Sequence, residues 1–238
     1  MSPLQTIAVI PARGGSKRIP HKNIKPFCGK PMITYSIEAA IKCGLFDQVI
    51  VSTDDEEIAE IAEKHGAICP FRRPAHLSGD YTPTLPVVRH AIETVEAQQN
   101  TALKQVCCIY ATAPFLKVKN LQAGHTCLQA NSELEFAFSV TTYPVPIQRA
   151  LYLDPKSGSM KMFHPEHADT RSQDLKESYH DAGQFYWGWR DAYMQTENIF
   201  LAKSAPILLP REEVQDIDTL EDWNCAEQLH HLHLAQQS

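Results

Sequence analysis

Hydrophobic residues in the first half of the chain follow two alternating patterns. Short apolar runs with little polar alternation, typical of strands buried on both faces, lie at 7–10, 49–52 and 106–110. Stretches with apolar residues every three or four positions, as on one face of a helix, lie at 33–41, 58–65 and 87–95. This β-α-β-α-β order predicts an α/β fold with a mostly parallel sheet and helices on both faces.

Residues at the ends of these stretches agree with helix boundaries. Pro31 precedes the first stretch and Gly44 follows it, the usual places for these residues at a helix start and end. Asp54 or Asp55 is expected to cap the second helix, and Gly66 to end it.

The segment 141–186 has a different character. It contains four prolines and a Lys-Ser-Gly-Ser turn between two β-rich pieces, 147–153 and 160–163. We predict a hairpin that projects from the main sheet, inserted in a single domain spanning 1–238.

Composition narrows the class of protein. The 238 residues are 43% hydrophobic and carry a net charge of −6, and the basic residues are concentrated rather than spread over a face, which argues against a general nucleic-acid binder. Seven cysteines show no Cys-x-x-Cys spacing, which fits a reducing compartment. With no signal-like start and no long apolar run, we expect a cytoplasmic protein that does not bind membranes.

The first strand leads into a loop rich in cations. Arg13, Lys17, Arg18 and Lys22 lie within ten residues. The adjacent pair Gly14-Gly15 lets the backbone approach a phosphate. Ligands bind at the carboxyl ends of strands in such sheets, so the loop predicts a polyphosphate site, the alternative being a solvated basic turn. Neither the Walker A nor the Gly-x-Gly-x-x-Gly pattern is present, which excludes two common nucleotide loops.

Two carboxylates follow much later, at Asp216 and Asp218. In an extended segment, side chains two positions apart project to the same side, and such a pair suits Mg²⁺, which completes its shell with water and substrate phosphates. The alternative is a solvated pair that caps the helix predicted from about Thr219. The cationic loop and the carboxylate pair together describe a metal–nucleotide site.

Three further residues have less specific surroundings. Arg73, before Pro74, could reach a base or a phosphate, or could lie on the surface. Arg171 could meet an anionic substrate. Tyr186 is either a core residue or part of a ligand pocket.

Taken in order, these motifs resemble the nonulosonic (sialic-type) acid cytidylyltransferases, the CMP-sugar synthetases. Besides the opening loop, the matching motifs are Gly29-Lys-Pro-Met-Ile33, Val51-Ser-Thr-Asp54, Phe71-Arg-Arg-Pro74 and Val214-Gln-Asp-Ile-Asp-Thr219. The resemblance implies a Rossmann-like nucleotidyltransferase fold, with CTP and Mg²⁺ as partners. It also implies a homodimer in which a protruding segment reaches the neighbouring subunit's site.

The resemblance also implies roles for individual residues. Those expected to bind CTP are Ala12, Arg13, Gly14, Gly15, Ser16 and Lys17 at the phosphates, Asn23 at the ribose, and Arg73, Ser78 and Asp80 at the cytosine. Those expected to take part in catalysis are Arg13, Lys17, Asp216 and Asp218, the two aspartates holding Mg²⁺ and one of them accepting a proton. Those expected to contact the sugar are Tyr110, Thr112, Arg171, Gln184 and Tyr186.

Two segments depart from the sialic acid branch of this family. That branch reads Gln-Pro-Thr-Ser-Pro where this chain has Tyr110-Ala-Thr-Ala-Pro114, and Asn-Gly-Ala-Ile-Tyr where it has Ala182-Gly-Gln-Phe-Tyr186. These departures resemble the branch that uses pseudaminic acid, a nine-carbon 2-keto sugar acid with fewer hydroxyls and more acyl and methyl surface, in cell-surface or flagellar glycan synthesis. N-acetylneuraminate or Kdo as the sugar, a metal-dependent glycosyltransferase and a non-catalytic nucleotide-binding protein are the alternatives.

Overall fold

The core is organised by a six-stranded sheet in a computed structural model that describes residues 5–235. The strands of the described chain are β1 (Thr6–Pro11), β2 (Pro26–Phe27), β3 (Lys30–Pro31), β4 (Gln48–Ser52), β5 (Gln105–Ile109), β6 (Phe136–Thr142), β7 (Leu151–Leu153), β8 (Met160–Met162), β9 (Tyr179–Trp189) and β10 (Ser204–Leu208). The α-helices are α1 (Met32–Cys43), α2 (Glu56–Lys64), α3 (Thr84–Gln99), α4 (Val118–Ala130), α5 (Arg190–Gln195) and α6 (Leu220–Ala235).

The main sheet has the order β10-β6-β9-β5-β1-β4. Its pairs are parallel, except that β9 runs antiparallel to both β5 and β6. The predicted α/β class with a mostly parallel sheet is therefore confirmed, and the three predicted strands are β1, β4 and β5. Because β9 is reversed, its first residues lie at the edge where β5 and β6 end.

Helices cover both faces of this sheet, as β1 shows. Ala8 and Ile10 pack in one buried cluster with residues of α1, α2 and α4, whereas Ile7 and Val9 pack in another with residues of α3 and α5. Successive side chains of a strand point to opposite faces, which explains why this strand is apolar at every position.

The predicted helix boundaries are confirmed in detail. Gly44 follows α1 in the left-handed conformation, with φ of 69°, which glycine adopts without steric cost. Of the two candidates for the cap of α2, Asp55 is the one whose carboxylate accepts a hydrogen bond from the backbone N–H of Ile58, at 3.1 Å. Ile41, the last residue of the predicted apolar face of α1, is not buried with the rest of that face, since it is 45% exposed.

The predicted hairpin is formed by β7 and β8, paired from Leu151–Met162 to Leu153–Met160. The region that leaves the main sheet is narrower than the predicted 141–186, because β6 extends to Thr142 and β9 begins at Tyr179. Residues 179–186 therefore belong to a central strand. Within residues 5–235, no helix has the length and apolar character needed to cross a membrane.

Candidate active site

A cavity of about 560 Å³ lies where β1 and β5 end; we call it the main cavity. The expected site residues that line it are Arg13, Ser16, Lys17, Asn23, Arg73, Asp80, Tyr110, Thr112, Asp216 and Asp218. Two segments far apart in sequence, the cationic loop and the carboxylate pair, thus face one space.

A buried apolar cluster brings these two segments together. Ile19, which follows the loop cations, and Ile217, which lies between the two aspartates, are both fully buried. They share a cluster with Phe27, Phe115 and residues of α6. Because Ile217 points into this cluster, its neighbours Asp216 and Asp218 are left to face the main cavity.

The loop backbone is held by polar side chains. The backbone N–H of Gly14 donates to Asp54 Oδ1 at 3.0 Å, and Asn23 Nδ2 donates to the carbonyl oxygen of Arg13 at 2.9 Å. A Cβ at Gly14 would lie 2.5 Å from Asp55 Oδ2, whereas one at Gly15 would meet nothing within 4 Å. The steric requirement for glycine therefore falls on Gly14.

The cations of the loop are paired with carboxylates from two other segments. Asp80 forms ion pairs with both Arg13, at 2.5 Å, and Lys17, which lower the pKa of its carboxyl group. Asp218 pairs with Arg18 at 3.0 Å and with Lys22 at 3.5 Å. The sequence motifs did not indicate that Asp80 would contact the loop cations.

The carboxylate pair fits a divalent cation. The pKa of Asp216 is raised, first by loss of solvation and then by the negative charge of Asp218, and a cation between the two groups would relieve that repulsion. Capping of α6 does not explain the pair, because Thr219 Oγ1 and Asp222 Oδ2 cap each other's backbone N–H groups.

Residues 5–235 contain no group of three or more His, Cys, Asp or Glu side chains placed to hold a metal. Mg²⁺ is commonly bound by one or two carboxylates, with water and substrate phosphates as its remaining ligands.

Arg73 is a buried cation with free donors. Only 6% of the residue is exposed, and its Nε and Nη2 lack hydrogen-bond partners within the protein. The nearest carboxylate, Asp54, is 3.8 Å from Nη2. Burial lowers the pKa of Arg73. Buried donors of this kind are costly when unpaired, so they are suited to a ligand with several acceptors.

Some expected site residues do not face the main cavity. The backbone N–H of Ala12 donates a hydrogen bond to the carbonyl oxygen of Ser52 in β4, at 2.9 Å. Ser78 Oγ donates to the carbonyl oxygen of Pro74. Gln184 is buried and donates from Nε2 to the carbonyl oxygen of Glu213, at 2.6 Å. Arg171 is exposed on the segment between β8 and β9.

Two smaller cavities adjoin the main one at Tyr110, which lines all three. The second cavity, about 440 Å³, is lined by residues 180–183 and 214–216 as well as Tyr110. The third cavity, about 400 Å³, is more apolar and includes Tyr186, Ile199 and Phe200. Sequence reasoning missed Ile199 and Phe200, because no motif marks the loop before β10 that carries them.

Asp181 was also missed as a site residue, although it directly precedes Ala182-Gly-Gln-Phe-Tyr186, one of the segments that depart from the sialic acid branch. It lines both the second and the third cavity. Its carboxylate accepts hydrogen bonds from the Tyr186 hydroxyl and from the backbone N–H of Gly183. The sequence shows only that Asp181 is a carboxylate near the start of a β-rich segment. Its position beside the ends of β5 and β6 follows from the pairing of β9 with these two strands.

Comparison with known proteins agrees with this geometry. The model of a family described as Cytidylyltransferase matches residues 7–234. The chain is 46% identical over 227 residues to the pseudaminic acid cytidylyltransferase of Campylobacter jejuni subsp. jejuni, covering 95% of this chain and 97% of that protein. It is 30% identical over 220 residues to the N-acylneuraminate cytidylyltransferase of Escherichia coli, covering 92% and 51% respectively.

A solved structure shows the same fold. CMP:2-keto-3-deoxy-manno-octonic acid synthetase, complexed with CTP, aligns with a TM-score of 0.68 over 98% of this chain and 100% of that one, at 18% identity. The family match and the relatives extend over nearly all of the chain. This protein therefore belongs to the cytidylyltransferase family.

Proposed function

We propose that this enzyme transfers CMP from CTP to the anomeric hydroxyl of pseudaminic acid and releases pyrophosphate. The observation that carries the reaction type is that the cationic glycine loop and the pair Asp216–Asp218 face one cavity. The second and third cavities adjoin it at Tyr110; we assign the sugar to them and call them the sugar cavities. A nucleoside triphosphate with a divalent cation needs both features, since its phosphates require cations and its metal requires oxygen ligands.

The triphosphate would lie along the loop after β1. Arg13 and Lys17 supply positive charge, and we assign the backbone N–H of Gly15 and the side chain of Ser16 to the phosphates. The backbone N–H of Ser16 donates to the carbonyl oxygen of Gly14, at 2.9 Å, and so supports the turn. Gly14 already donates to Asp54, so we assign it a structural role. The unpaired donors of Arg73 support its assignment to the cytosine or a phosphate. Asn23 lines the same cavity, and we assign it to the ribose.

Asp216 and Asp218 would hold Mg²⁺. Bound there, the ion would neutralise charge on the phosphates and lower the pKa of the sugar hydroxyl. One of the two carboxylates accepts the proton of that hydroxyl, whose oxygen attacks the α-phosphorus in line as pyrophosphate leaves. Arg13 and Lys17 stabilise the charge that builds on the phosphoryl oxygens, so catalysis depends mainly on positioning and electrostatics.

The choice of pseudaminic acid is supported by the third cavity. Ile199, Phe200 and the ring of Tyr186 make the third cavity largely apolar, which suits acyl and methyl groups better than a chain of hydroxyls. The relative named for pseudaminic acid is also more similar to this chain than the relative named for N-acylneuraminate.

We further propose a homodimer formed by the inserted hairpin. Several large apolar side chains of the hairpin and of the residues flanking it are exposed: Val145, Leu151, Leu153, Met160 and Phe163. Exposed apolar groups concentrated in one segment are typical of an interaction surface. Arg171 is exposed on the same inserted segment, and we assign it to the sugar carboxylate bound by the neighbouring subunit.

Pyrophosphate release with CTP tests the proposal, using pseudaminic acid and N-acetylneuraminic acid as separate substrates. We expect turnover with pseudaminic acid to exceed that with N-acetylneuraminic acid by at least tenfold in kcat/KM. The variant Asp218→Ala should lose activity with an unchanged circular dichroism spectrum, whereas Glu221→Ala, an exposed neighbour on α6, should keep it. A preference for N-acetylneuraminic acid would refute the sugar assignment, and release of a nucleoside diphosphate would refute the reaction.

A further inference from the structure

Strand β9 contains a large bulge beside the sugar cavities. Phe138 and Val140 of β6, two positions apart, pair with Tyr186 and Asp181, five positions apart. On the other side of β9, the backbone N–H of Tyr110 still donates to the carbonyl oxygen of Gln184, at 2.9 Å. Bulges of this kind redirect side chains at the edge of a sheet, and this one turns Asp181 toward the cavities.

Polar side chains satisfy the backbone of the bulge. Gly183 has φ of 61°, and its N–H donates to Asp181 Oδ1 at 3.0 Å. The Oγ of the buried Ser139 accepts from the N–H groups of Gln184 and Phe185, at 3.3 and 3.2 Å. Asp181 and Ser139 therefore both support the bulge, but Asp181 is the one that lines the second and third cavities.

The carboxylate of Asp181 has acceptor sites to spare. One oxygen accepts from Gly183 and the other from the hydroxyl of Tyr186, while an ionised carboxylate offers about four acceptor sites. It cannot donate, so a ligand group that meets it must be a donor. Its negative charge also disfavours the carboxylate of the sugar acid at this place.

We propose that Asp181 accepts a hydrogen bond from the N–H of an acylamido group on the sugar acid, with the acyl chain in the third cavity. A carboxylate that lines the same cavity as the apolar side chains of Ile199 and Phe200 matches both parts of that group, the amide N–H and the methyl end. The sugar is thereby bound in one orientation, with its own carboxylate away from Asp181. This inference rests on the proposed function and names a specificity-determining residue for it.

The variant Asp181→Asn tests the inference in the full-length enzyme. Asparagine keeps the size of the side chain and one oxygen for the Gly183 N–H, but loses the charge. Hydrogen bonds to charged groups are among the stronger ones, so we expect KM for pseudaminic acid to rise by about tenfold to a hundredfold. We expect KM for CTP to stay within about twofold, because Asp181 does not line the main cavity, where we propose that CTP binds.

Two control variants separate sugar binding from structural support. Ser139→Ala removes the other support of the bulge but no group that lines the second or third cavity, so it should lower Tm and raise KM for the sugar less than Asp181→Asn does. Tyr186→Phe removes the hydroxyl held by Asp181 and should raise KM for the sugar less than Asp181→Asn does. If either control reproduced the Asp181→Asn effect on the sugar KM, Asp181 would act only by holding the bulge or Tyr186, and the inference would be wrong.

The sugar preference of the wild-type enzyme is recorded in the same assays. An unchanged KM for pseudaminic acid in Asp181→Asn, in an enzyme that uses this sugar, would overturn the inference and leave the proposed function intact. A wild-type preference for N-acetylneuraminic acid would overturn the sugar assignment. N-acetylneuraminic acid also carries an acylamido group. In that case a higher KM for N-acetylneuraminic acid in Asp181→Asn would support the role of Asp181, and an unchanged KM would overturn it.

Discussion

Lys22 Nζ donates a hydrogen bond to the backbone carbonyl oxygen of Ile217 at 2.7 Å, across 195 positions of sequence. The same ammonium lies 3.5 Å from Asp218 Oδ1. Lys22 thus joins the cationic loop to the segment of the carboxylate pair through two contacts, one with the backbone of Ile217 and one with the side chain of Asp218. The contact complements the burial of Ile19 and Ile217 in one apolar cluster.

Removing this contact should affect both stability and turnover. In Lys22→Met the apolar stem is kept, but the carbonyl of Ile217 loses its donor, which costs about 1–3 kcal/mol when the group is buried. We expect a lower Tm and a kcat reduced by about tenfold or more, measured by thermal unfolding and pyrophosphate release. The matched variant Lys64→Met changes an exposed lysine at the end of α2, outside the main cavity, and equal losses in both variants would contradict this role of Lys22.

Gly14 should tolerate substitution less well than Gly15. The Cβ in Gly14→Ala would lie 2.5 Å from Asp55 Oδ2, so the side chain that caps α2 must move. We expect Tm to fall in Gly14→Ala, in line with loss of a helix cap worth about 1 kcal/mol. Gly15→Ala has open space and should keep the wild-type Tm, so a larger fall in this variant would contradict the geometry.

Asp80 should compete with the triphosphate for the loop cations. Its ion pairs with Arg13 and Lys17 occupy the groups that the phosphates need. We expect Asp80→Asn to lower KM for CTP by about two- to fivefold, a range consistent with exposed ion pairs. Steady-state kinetics at low salt would show it, since exposed pairs weaken as salt increases. A rise of KM by tenfold would instead support a direct contact between Asp80 and the cytosine.

Glu213 should make the protein sensitive to acid. Burial would raise the pKa of its carboxyl group, but hydrogen bonds from Lys117 at 2.7 Å and Asn120 at 3.3 Å outweigh it, and the pKa is lowered. A carboxyl group with a lower pKa in the folded state stabilises the protein above its unfolded pKa. This contribution is lost as pH falls through the folded pKa.

Thermal unfolding between pH 7 and pH 3 measures this contribution. We expect the Tm of the wild-type protein to fall more steeply with acid than that of Glu213→Gln, which has no charge to lose at this position. Glu212→Gln, at the exposed neighbouring residue, should follow the wild-type curve. Parallel curves for wild type and Glu213→Gln would show that Glu213 does not carry the effect.

Local patterns predicted much of the fold and part of the site. The buried strands and amphipathic helices of the first half are visible because each pattern is complete within about ten residues. The loop at Arg13 and the pair Asp216–Asp218 were recognisable for the same reason. The limits of the inserted segment were not, since nothing in residues 179–186 distinguishes a strand of the hairpin from one of the central sheet.

The sequence by itself determined the chemistry available to this protein: a glycine loop with cations, a carboxylate pair and the strands that end beside them. Only the tertiary structure decided which of these groups meet. The contacts of Asp80 with Lys17 and of Lys22 with Ile217, and the position of Asp181 in the second and third cavities, bring together residues from separate elements. They depend on how buried apolar surfaces such as those of Ile19 and Ile217 pack together, and that packing leaves no local pattern in the chain.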